Sequence, residues 1–341
     1  MARADLLKEL FKAYRNSDRE QFMDTARAIV DEERRKHHSL LAGELMRILN
    51  NGVAVMTPTL TATLQPPPRD QERRTPLLEI RQSSSFLRDI VLEENQCEVL
   101  RRVIREFRDW DVLESNGLKP SHKLLFCGPP GCGKTVTAEA LAGEVGLPLL
   151  YIRFDAVVSS LLGETAANLR KVFDYASQEN WVILFDEFDA IGRSRDDATE
   201  HGEIKRVVNS FLQLLDNFQG RSLVIAATNF EQALDPALWR RFDEIVRFER
   251  PTIAQINELM EMRLRPLSGN KAKIKIYAKQ LEGASFGDVE RVCLDVMKVC
   301  ALEGRTLFEQ KDMDLAIKRQ ELRRQVLENA RPTNGPKVDQ P

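Results

Sequence analysis

The chain has 341 residues, of which 43% are hydrophobic and 30% charged, with a formal net charge of −2. This balance excludes the whole-chain attraction to nucleic acid that a strongly basic protein has, so we do not expect a nucleic-acid partner. No apolar run approaches the length of a membrane span, so we expect no membrane partner. The five cysteines contain no Cys-x-x-Cys pair, which argues for reduced thiols in a cytoplasmic protein.

The first segment, residues 1–50, predicts a small helical domain. Apolar residues recur at helical spacing from Leu6 onward, and Ser17 to Glu20 forms a capping box that opens a second helix. Asn50 begins an Asn-Asn-Gly stop signal after a third helix. Three short helices make a marginal core, so we expect this domain to need a partner or neighbouring subunits for stability.

Residues 51–84 predict a flexible linker. The prolines at 66–68 favour extended chain, and neither they nor the serines at 83–85 can hold a helix. The predicted linker would let the first domain search a volume around whatever follows it.

The strongest motif follows the apolar run at 123–127. Residues 128–135 fit the pattern G-x-x-x-x-G-K-[ST] at the junction of a predicted strand and a predicted helix. Such a loop turns backbone N–H groups toward phosphates, and the helix points its positive end at them. The candidate nucleotide-binding residues are Gly128, Pro129, Pro130, Gly131, Cys132, Gly133, Lys134, Thr135 and Val136. Lys134 supplies a cation for the β- and γ-phosphates, and Thr135 offers a hydroxyl to Mg²⁺.

A second buried strand ends in two acids. The apolar run at 181–185 is typical of a central parallel strand, and it leads into Asp186 and Glu187. Asp186 is placed to hold the hydration shell of Mg²⁺, and Glu187 to polarise an attacking water. Together with the loop, these acids predict hydrolysis of a nucleoside triphosphate.

A third strand at 222–227 is followed by Asn229, whose amide can orient the lytic water or contact the γ-phosphate. Further on, Arg240 and Arg241 stand next to each other before Phe242. Guanidinium groups stabilise the charge that develops in phosphoryl transfer, although an Arg-Arg pair alone is usually a solvated helix end.

From residue 251 the pattern predicts helices alone. We expect a helical region over 251–328, with helices near Ile253–Leu264, Ile274–Leu281, Asp288–Leu302 and Met313–Glu328. The last residues, 329–341, predict a disordered tail.

The region from Asp89 to Leu302 resembles the AAA ATPase module of the AAA+ superfamily. Residues 128–135 resemble its Walker A motif, and 182–187 its Walker B motif. Asn229 matches sensor 1, the pair at 240–241 matches the arginine fingers, and Gly283–Asp288, which contains Gly287, resembles the turn that opens the lid helix. The Arg-Arg-Phe-Asp form is similar to the ESCRT-remodelling, katanin and spastin branch, and we expect a bacterial-type member.

The resemblance implies an α/β fold. A doubly wound parallel-sheet P-loop domain over 85–250 would carry the catalytic residues, with the helical lid at 251–328 and the small helical domain at 1–50. ATP and Mg²⁺ would bind between the large domain and the lid, with Gly287 among the binding residues. The fingers of one subunit would reach the nucleotide of the next, so a homo-oligomeric ring, most often of six, is implied.

The chain departs from the family pattern at two places. Leu161 stands where substrate-pulling members carry a pore-loop aromatic, before Leu162 and Gly163, and a leucine offers less stacking area. Cys132 stands where the family usually has Thr or Ser. Its place at a helix N-terminus beside Lys134 predicts a lowered thiol pKa, which would make the thiol oxidisable, although an inert small residue is the favoured interpretation.

We therefore expect an ATP-hydrolysing ring that remodels or unfolds a protein substrate threaded past Leu161. The alternative is a nucleotide-gated ring that controls a partner effector, for example a protease, without threading. In either case the substrate or effector would dock on the N-terminal helices.

Overall fold

The protein is described from a computed structural model, which divides into a unit over Met1–Gln65 and a unit over Pro66–Pro341. The described residues are 66–70, 74–157, 162–188, 200–229, 236–267 and 271–329, with scattered positions between Leu6 and Glu32. In the first unit, described positions within 6–12 and 21–32 are helical, and Ala26 and Ile29 are buried. The extent of a helical domain over 1–50 stays a prediction, since most of that segment lies outside the described residues.

The described part of the second unit contains a six-stranded sheet and helices on both sides of it. Its strands are β1 (Glu79–Arg81), β2 (Lys123–Cys127), β3 (Leu149–Arg153), β4 (Val182–Asp186), β5 (Leu223–Thr228) and β6 (Glu244–Arg247). Its helices are α1 (Glu94–Arg108), α2 (Trp110–Ser115), α3 (Lys134–Val145), α4 (Phe154–Val157), α5 (Leu162–Ala176), α6 (Glu200–Asn217), α7 (Pro236–Trp239), α8 (Ile253–Arg263), α9 (Lys271–Gln280), α10 (Phe286–Leu302) and α11 (Gln310–Asn329), with a 3₁₀ turn at Leu87–Asp89.

The sheet has the strand order β1-β3-β4-β5-β2-β6. β1 is antiparallel to β3, and the other pairs are parallel. β4 and β5 are apolar and buried almost throughout because helices cover both faces of a parallel sheet. The carboxyl ends of β2, β4 and β5 meet at one edge, which is where ligands bind in doubly wound sheets. The predicted α/β fold class is confirmed.

Helices α8 to α11 form a second, separate core. Their inward residues include Met260, Val289, Val292 and Val296, each at most 1% exposed. Val91, from the segment before α1, packs into the same core, so the large domain contributes a side chain to the helical region. Among the described helices, none is both long enough and apolar enough to cross a bilayer.

The prediction of a linker over 51–84 is wrong for the described residues of that range, 66–70 and 74–84. Leu77 and Leu78 are 1% and 3% exposed, and β1 pairs with β3 at the edge of the sheet. The amide Nδ2 of Asn168 in α5 donates to Asp70 Oδ2 at 2.8 Å. Prolines prevent a helix here but permit an edge strand, and leucines that reach a distant core give no local signal. Residues 51–65 lie outside the described residues.

Burial of Leu77 gives a test of this correction. Leu77→Ala should lower the free energy of unfolding by about 2–5 kcal/mol, since it leaves a cavity in a packed core. Leu118→Ala is the matched control, because Leu118 is 57% exposed, and it should cost less than about 0.5 kcal/mol. Denaturant unfolding of both variants measures the difference. If both variants lowered the free energy of unfolding by equally small amounts, Leu77 would not be a core residue and the linker interpretation would be restored.

An ion pair joins the segment after α10 to the first turn of α11. Arg305 donates from Nη1 and Nη2 to the two carboxylate oxygens of Asp312, at 2.8 and 3.0 Å. The backbone N–H of Glu309 donates to the same carboxylate at 2.8 Å. Asp312 is 5% exposed, and the hydrogen bonds from Arg305, aided by that from Glu309, lower the pKa of Asp312.

This pair predicts a pH dependence of stability. Because the folded pKa of Asp312 lies below its ordinary 3.8, its contribution is fully present above that value and is lost as pH falls through the folded pKa. Asp312→Asn should therefore lower the thermal midpoint at pH 7 and at pH 5 by the same amount, and by less as the pH falls below about 4. If the thermal midpoint of Asp312→Asn stayed below that of the unsubstituted protein by the same amount down to pH 3, the stabilisation could not come from the ionised carboxylate of Asp312.

Candidate active site

A cavity of about 320 Å³ lies between the carboxyl ends of the parallel strands and the helical lid. Its polar end is formed by residues 130–131 and 133–137 of the loop and helix α3, with Asp186, Glu187 and Asn229. Its apolar end is formed by residues 90–92, with Leu259 and Phe286 from the lid. A cavity with one polar and one apolar end, within the roughly 300–1,000 Å³ typical of ligand pockets, fits the phosphates and the base of a nucleotide.

The loop after β2 passes very close to its neighbours. A Cβ at Gly128 would lie 1.9 Å from the carbonyl oxygen of Phe248, and one at Gly131 would lie 2.7 Å from Ser285 Oγ. The φ angle is +138° at Gly128 and +75° at Gly131. Gly128 therefore has no room for a side chain, and a side chain at Gly131 would require Ser285 to move.

Lys134 carries a buried ammonium group that the loop itself surrounds. The residue is 6% exposed, and its Nζ donates to the carbonyl oxygens of Gly128 and Pro129 at 2.6 and 2.9 Å. A third bond, of 2.8 Å, goes to Asn229 Oδ1 at the end of β5. Since a buried charge is tolerated only with hydrogen-bonding partners, these oxygens fix the cation at the polar end of the cavity.

Thr135 and Asp186 form the donor set for a cation. Thr135 Oγ1 donates to Asp186 Oδ2 at 2.9 Å, and the N–H of Glu187 donates to Asp186 Oδ1 at 2.9 Å. The threonine oxygen keeps lone pairs and the carboxylate is ionisable, so both supply the oxygen ligands that Mg²⁺ or its water shell requires. The residues present therefore fit the predicted Mg²⁺ site.

Glu187 has an unusual backbone. Its φ is +55°, a value that non-glycine residues rarely adopt, and its side chain is exposed at the cavity. Residues held in such conformations cost about 1–3 kcal/mol each and cluster at functional sites. The conformation carries the carboxylate one residue beyond the buried strand end and into the cavity.

The prediction of a lowered thiol pKa at Cys132 is wrong. Burial raises the pKa of Cys132, and this effect exceeds the opposing influence of the Lys134 charge. The side chain is 2% exposed, so it is one of the core residues beneath the loop. The alternative, an inert small residue, is the one that the structure favours.

Arg240 and Arg241 are exposed, and neither lines the cavity. Arg241 Nε instead pairs with Asp216 Oδ2 of α6 at 2.8 Å. Leu161 lies outside the described residues. The backbone of Leu162 and Gly163 forms the first turn of α5, and their side-chain surroundings are not described.

The lid contacts the loop directly. The N–H of Gly287 donates to the carbonyl oxygen of Gly131 at 3.0 Å, at the N-terminus of α10 that Ser285 caps. Gly287 also lines the cavity, in the place the sequence predicted for a binding residue.

Sequence reasoning missed several residues of the site. Arg263 of α8 and Glu290 of α10 line the cavity and pair at 2.8 Å. Residues 90–92 line its apolar end, and Tyr151 of β3 hydrogen-bonds to Asp186. No local motif marks these positions, because each reaches the site through the packing of distant elements.

Comparison with known proteins agrees with this geometry. The family described as "ATPase family associated with various cellular activities (AAA)" matches residues 124–250. An uncharacterized AAA family ATPase of Sinorhizobium fredii, y4kL, is 40% identical over 328 residues, covering 95% of this chain and 97% of that protein. The chain therefore belongs to the AAA family of ATPases, and the family resemblance is confirmed.

Two further relatives are matched in part. The proteasome-activating nucleotidase of Pyrococcus abyssi is 33% identical over 232 residues, covering 66% of this chain and 59% of that protein. The ATP-dependent zinc metalloprotease FtsH of Thermotoga maritima is 32% identical over 241 residues, covering 68% of this chain and 39% of that protein. The narrower similarity to the katanin and spastin branch stays a prediction.

The contact between lid and loop can be tested with two glycine variants. Gly131→Ala and Gly133→Ala both place a side chain at positive φ, but a Cβ at Gly133 has no neighbour within 4 Å. Both should carry the backbone cost of about 1–2 kcal/mol. Gly131→Ala should add the displacement of Ser285 and so lower the thermal midpoint of nucleotide-free protein further. Equal midpoints would show that the lid does not press on the loop.

Proposed function

We propose that the protein is an ATP-hydrolysing AAA ring ATPase that uses nucleotide binding and hydrolysis at subunit interfaces to remodel or unfold a protein substrate. The observation that carries the proposal is the meeting of Lys134, Thr135, Asp186, Glu187 and Asn229 at one end of a single cavity. These residues come from α3 and from the ends of β4 and β5, so the fold itself brings them together.

Each residue has a role that its position supports. The loop N–H groups and Lys134 bind the phosphates, and Thr135 and Asp186 hold Mg²⁺ and its water shell. Bound Mg²⁺ supplies positive charge against the β- and γ-phosphates. Glu187, whose carboxylate is exposed at the cavity, accepts a proton from the attacking water. Asn229 keeps the ammonium of Lys134 at the phosphate end through their 2.8 Å hydrogen bond.

The positions of Arg240 and Arg241 support a site shared between subunits. Both are exposed and absent from the cavity lining, and the ion pair between Arg241 and Asp216 is itself exposed, so a neighbouring copy can approach either guanidinium group. A finger supplied in trans stabilises transition-state charge and is worth about 10³–10⁵ in turnover. We accordingly propose a homo-oligomeric ring, with a hexamer as the expected state.

The names of the matched relatives support the proposal that the substrate is a protein. One relative is named for activating the proteasome and another as an ATP-dependent protease, so ATP-driven action on proteins is the shared theme of their names. Passage of the substrate past Leu161, its docking on the N-terminal helices and a cytoplasmic location belong to this proposal. Control of a partner effector without threading remains the alternative.

Light-scattering mass with ATP and Mg²⁺ tests the shared site. Glu187→Gln should retain ATP, because the base is lost while the binding residues stay, and should form a particle of about six times the 39.0 kDa subunit mass. Arg241→Ala should reduce turnover by roughly 10³-fold without loss of nucleotide binding. The light-scattering mass of the double variant with Glu187→Gln and Arg241→Ala then shows whether the finger also contributes to ring assembly.

Asp216→Asn is the matched control for the finger. It breaks the ion pair of Arg241 and leaves the arginine in place, so it should keep turnover within about twofold of the natural protein. If Asp216→Asn lost turnover as Arg241→Ala does, the ion pair would be structural and the finger role would fail. A Glu187→Gln protein that binds ATP but stays monomeric would contradict the ring.

A further inference from the structure

The hydroxyl of Tyr151 lies beside the proposed magnesium ligand. Tyr151 is on β3, the strand next to β4, and its Oη donates to Asp186 Oδ2 at 3.3 Å. The same oxygen accepts the hydrogen bond from Thr135, and the other carboxylate oxygen accepts that from the N–H of Glu187. The carboxylate of Asp186 is therefore held by donors from three different elements.

Arg81 fixes the ring of Tyr151 from the other side. The Cζ atom of Arg81 lies 3.5 Å from the centroid of that ring, a cation–π contact. Arg81 is in turn held by Glu79, at 2.8 Å, and by Glu139 of α3, at 3.5 Å. Arg81 of the edge strand β1 thus packs the ring of Tyr151 against the sheet, and this packing sets the direction of the tyrosine hydroxyl.

The hydroxyl of Tyr151 is the donor in this contact, because a carboxylate accepts hydrogen bonds. Its distance of 3.3 Å lies at the long end of the range for a hydroxyl donor.

We propose that Tyr151 is a positioning residue that orients the carboxylate of Asp186 and thereby sets the affinity of the nucleotide site for Mg²⁺. Hydrogen-bond partners of metal-site carboxylates set the orientation of those groups, and their removal typically weakens metal binding by about 10- to 100-fold. The role rests on the proposed function, because Tyr151 reaches the metal through the proposed nucleotide site.

The position of Tyr151 distinguishes it from the other donors. Thr135 is itself a proposed Mg²⁺ ligand at the head of α3, so its hydroxyl serves two partners. Glu187 donates from the backbone of the strained turn. Tyr151 comes from a strand in the interior of the sheet and lines no part of the cavity. It therefore holds Asp186 independently of the loop and of the ligand.

The experiment uses the full chain with Glu187→Gln, which prevents hydrolysis, and a fluorescent ATP analogue. Analogue binding is titrated with MgCl₂, and separately measured in EDTA without metal. Adding Tyr151→Phe, which keeps the ring under Arg81 and removes the hydroxyl, should raise the half-saturating Mg²⁺ concentration roughly tenfold, the lower end of the range for such partners. Binding in EDTA should stay within about twofold.

Tyr175→Phe is the control for loss of a tyrosine hydroxyl. Tyr175 is buried and stacked on Trp181, and its hydroxyl has no hydrogen-bond partner among the described residues. It lies outside the cavity, so its removal should leave the Mg²⁺ midpoint unchanged. A shift shared by Tyr175→Phe would mark a general packing effect and overturn the role of Tyr151.

The outcomes separate this role from the proposed function. An unchanged Mg²⁺ midpoint in Tyr151→Phe, with normal binding of the analogue, would overturn the positioning role and leave the ATPase proposal standing. Equal losses with and without metal would also overturn it, because they would show a collapsed pocket rather than a misplaced carboxylate. A Glu187→Gln protein that binds no analogue in either condition would overturn both.

Discussion

The buried ammonium of Lys134 constrains the rest of the nucleotide site. An unpaired charge in the interior costs several kcal/mol or more, so oxygen atoms must surround it. The carbonyls of Gly128 and Pro129 supply two of these oxygens, at 2.6 and 2.9 Å from Nζ. The third oxygen belongs to Asn229, and it arrives because β5 lies next to β2 in the sheet.

The same loop also locates the lid. Gly131 accepts a hydrogen bond from Gly287, and a side chain at Gly131 would strike Ser285. The lid core also includes Val91 from the large domain, so the two regions contact each other at Val91 as well as at Gly131. Because of these contacts, a movement of the lid would shift the loop backbone. A movement of the loop would likewise shift the N-terminus of α10.

The sequence predicted the parts of the site that are local motifs. The loop at 128–135 and the acids at 186–187 follow apolar strands directly, so the carboxyl edge of the sheet could be inferred without coordinates. The segment from Pro66 was missed because the burial of Leu77 and Leu78 depends on partners far away in the chain. The thiol pKa of Cys132 was predicted with the wrong sign because burial of the side chain outweighs the lysine charge, and depth below the surface has no sequence signature.

The backbone conformation of Glu187 costs folding stability, whereas its side chain has a role in the proposed chemistry. A glycine at this position would release about 1–3 kcal/mol of conformational strain, yet it would remove the carboxylate that faces the cavity. If Glu187 activates water as proposed, selection for a more robust fold and selection for turnover favour different residues at position 187. Random screens for thermal resistance in this protein would be expected to enrich inactive variants there, so stabilising changes are better sought away from the end of β4.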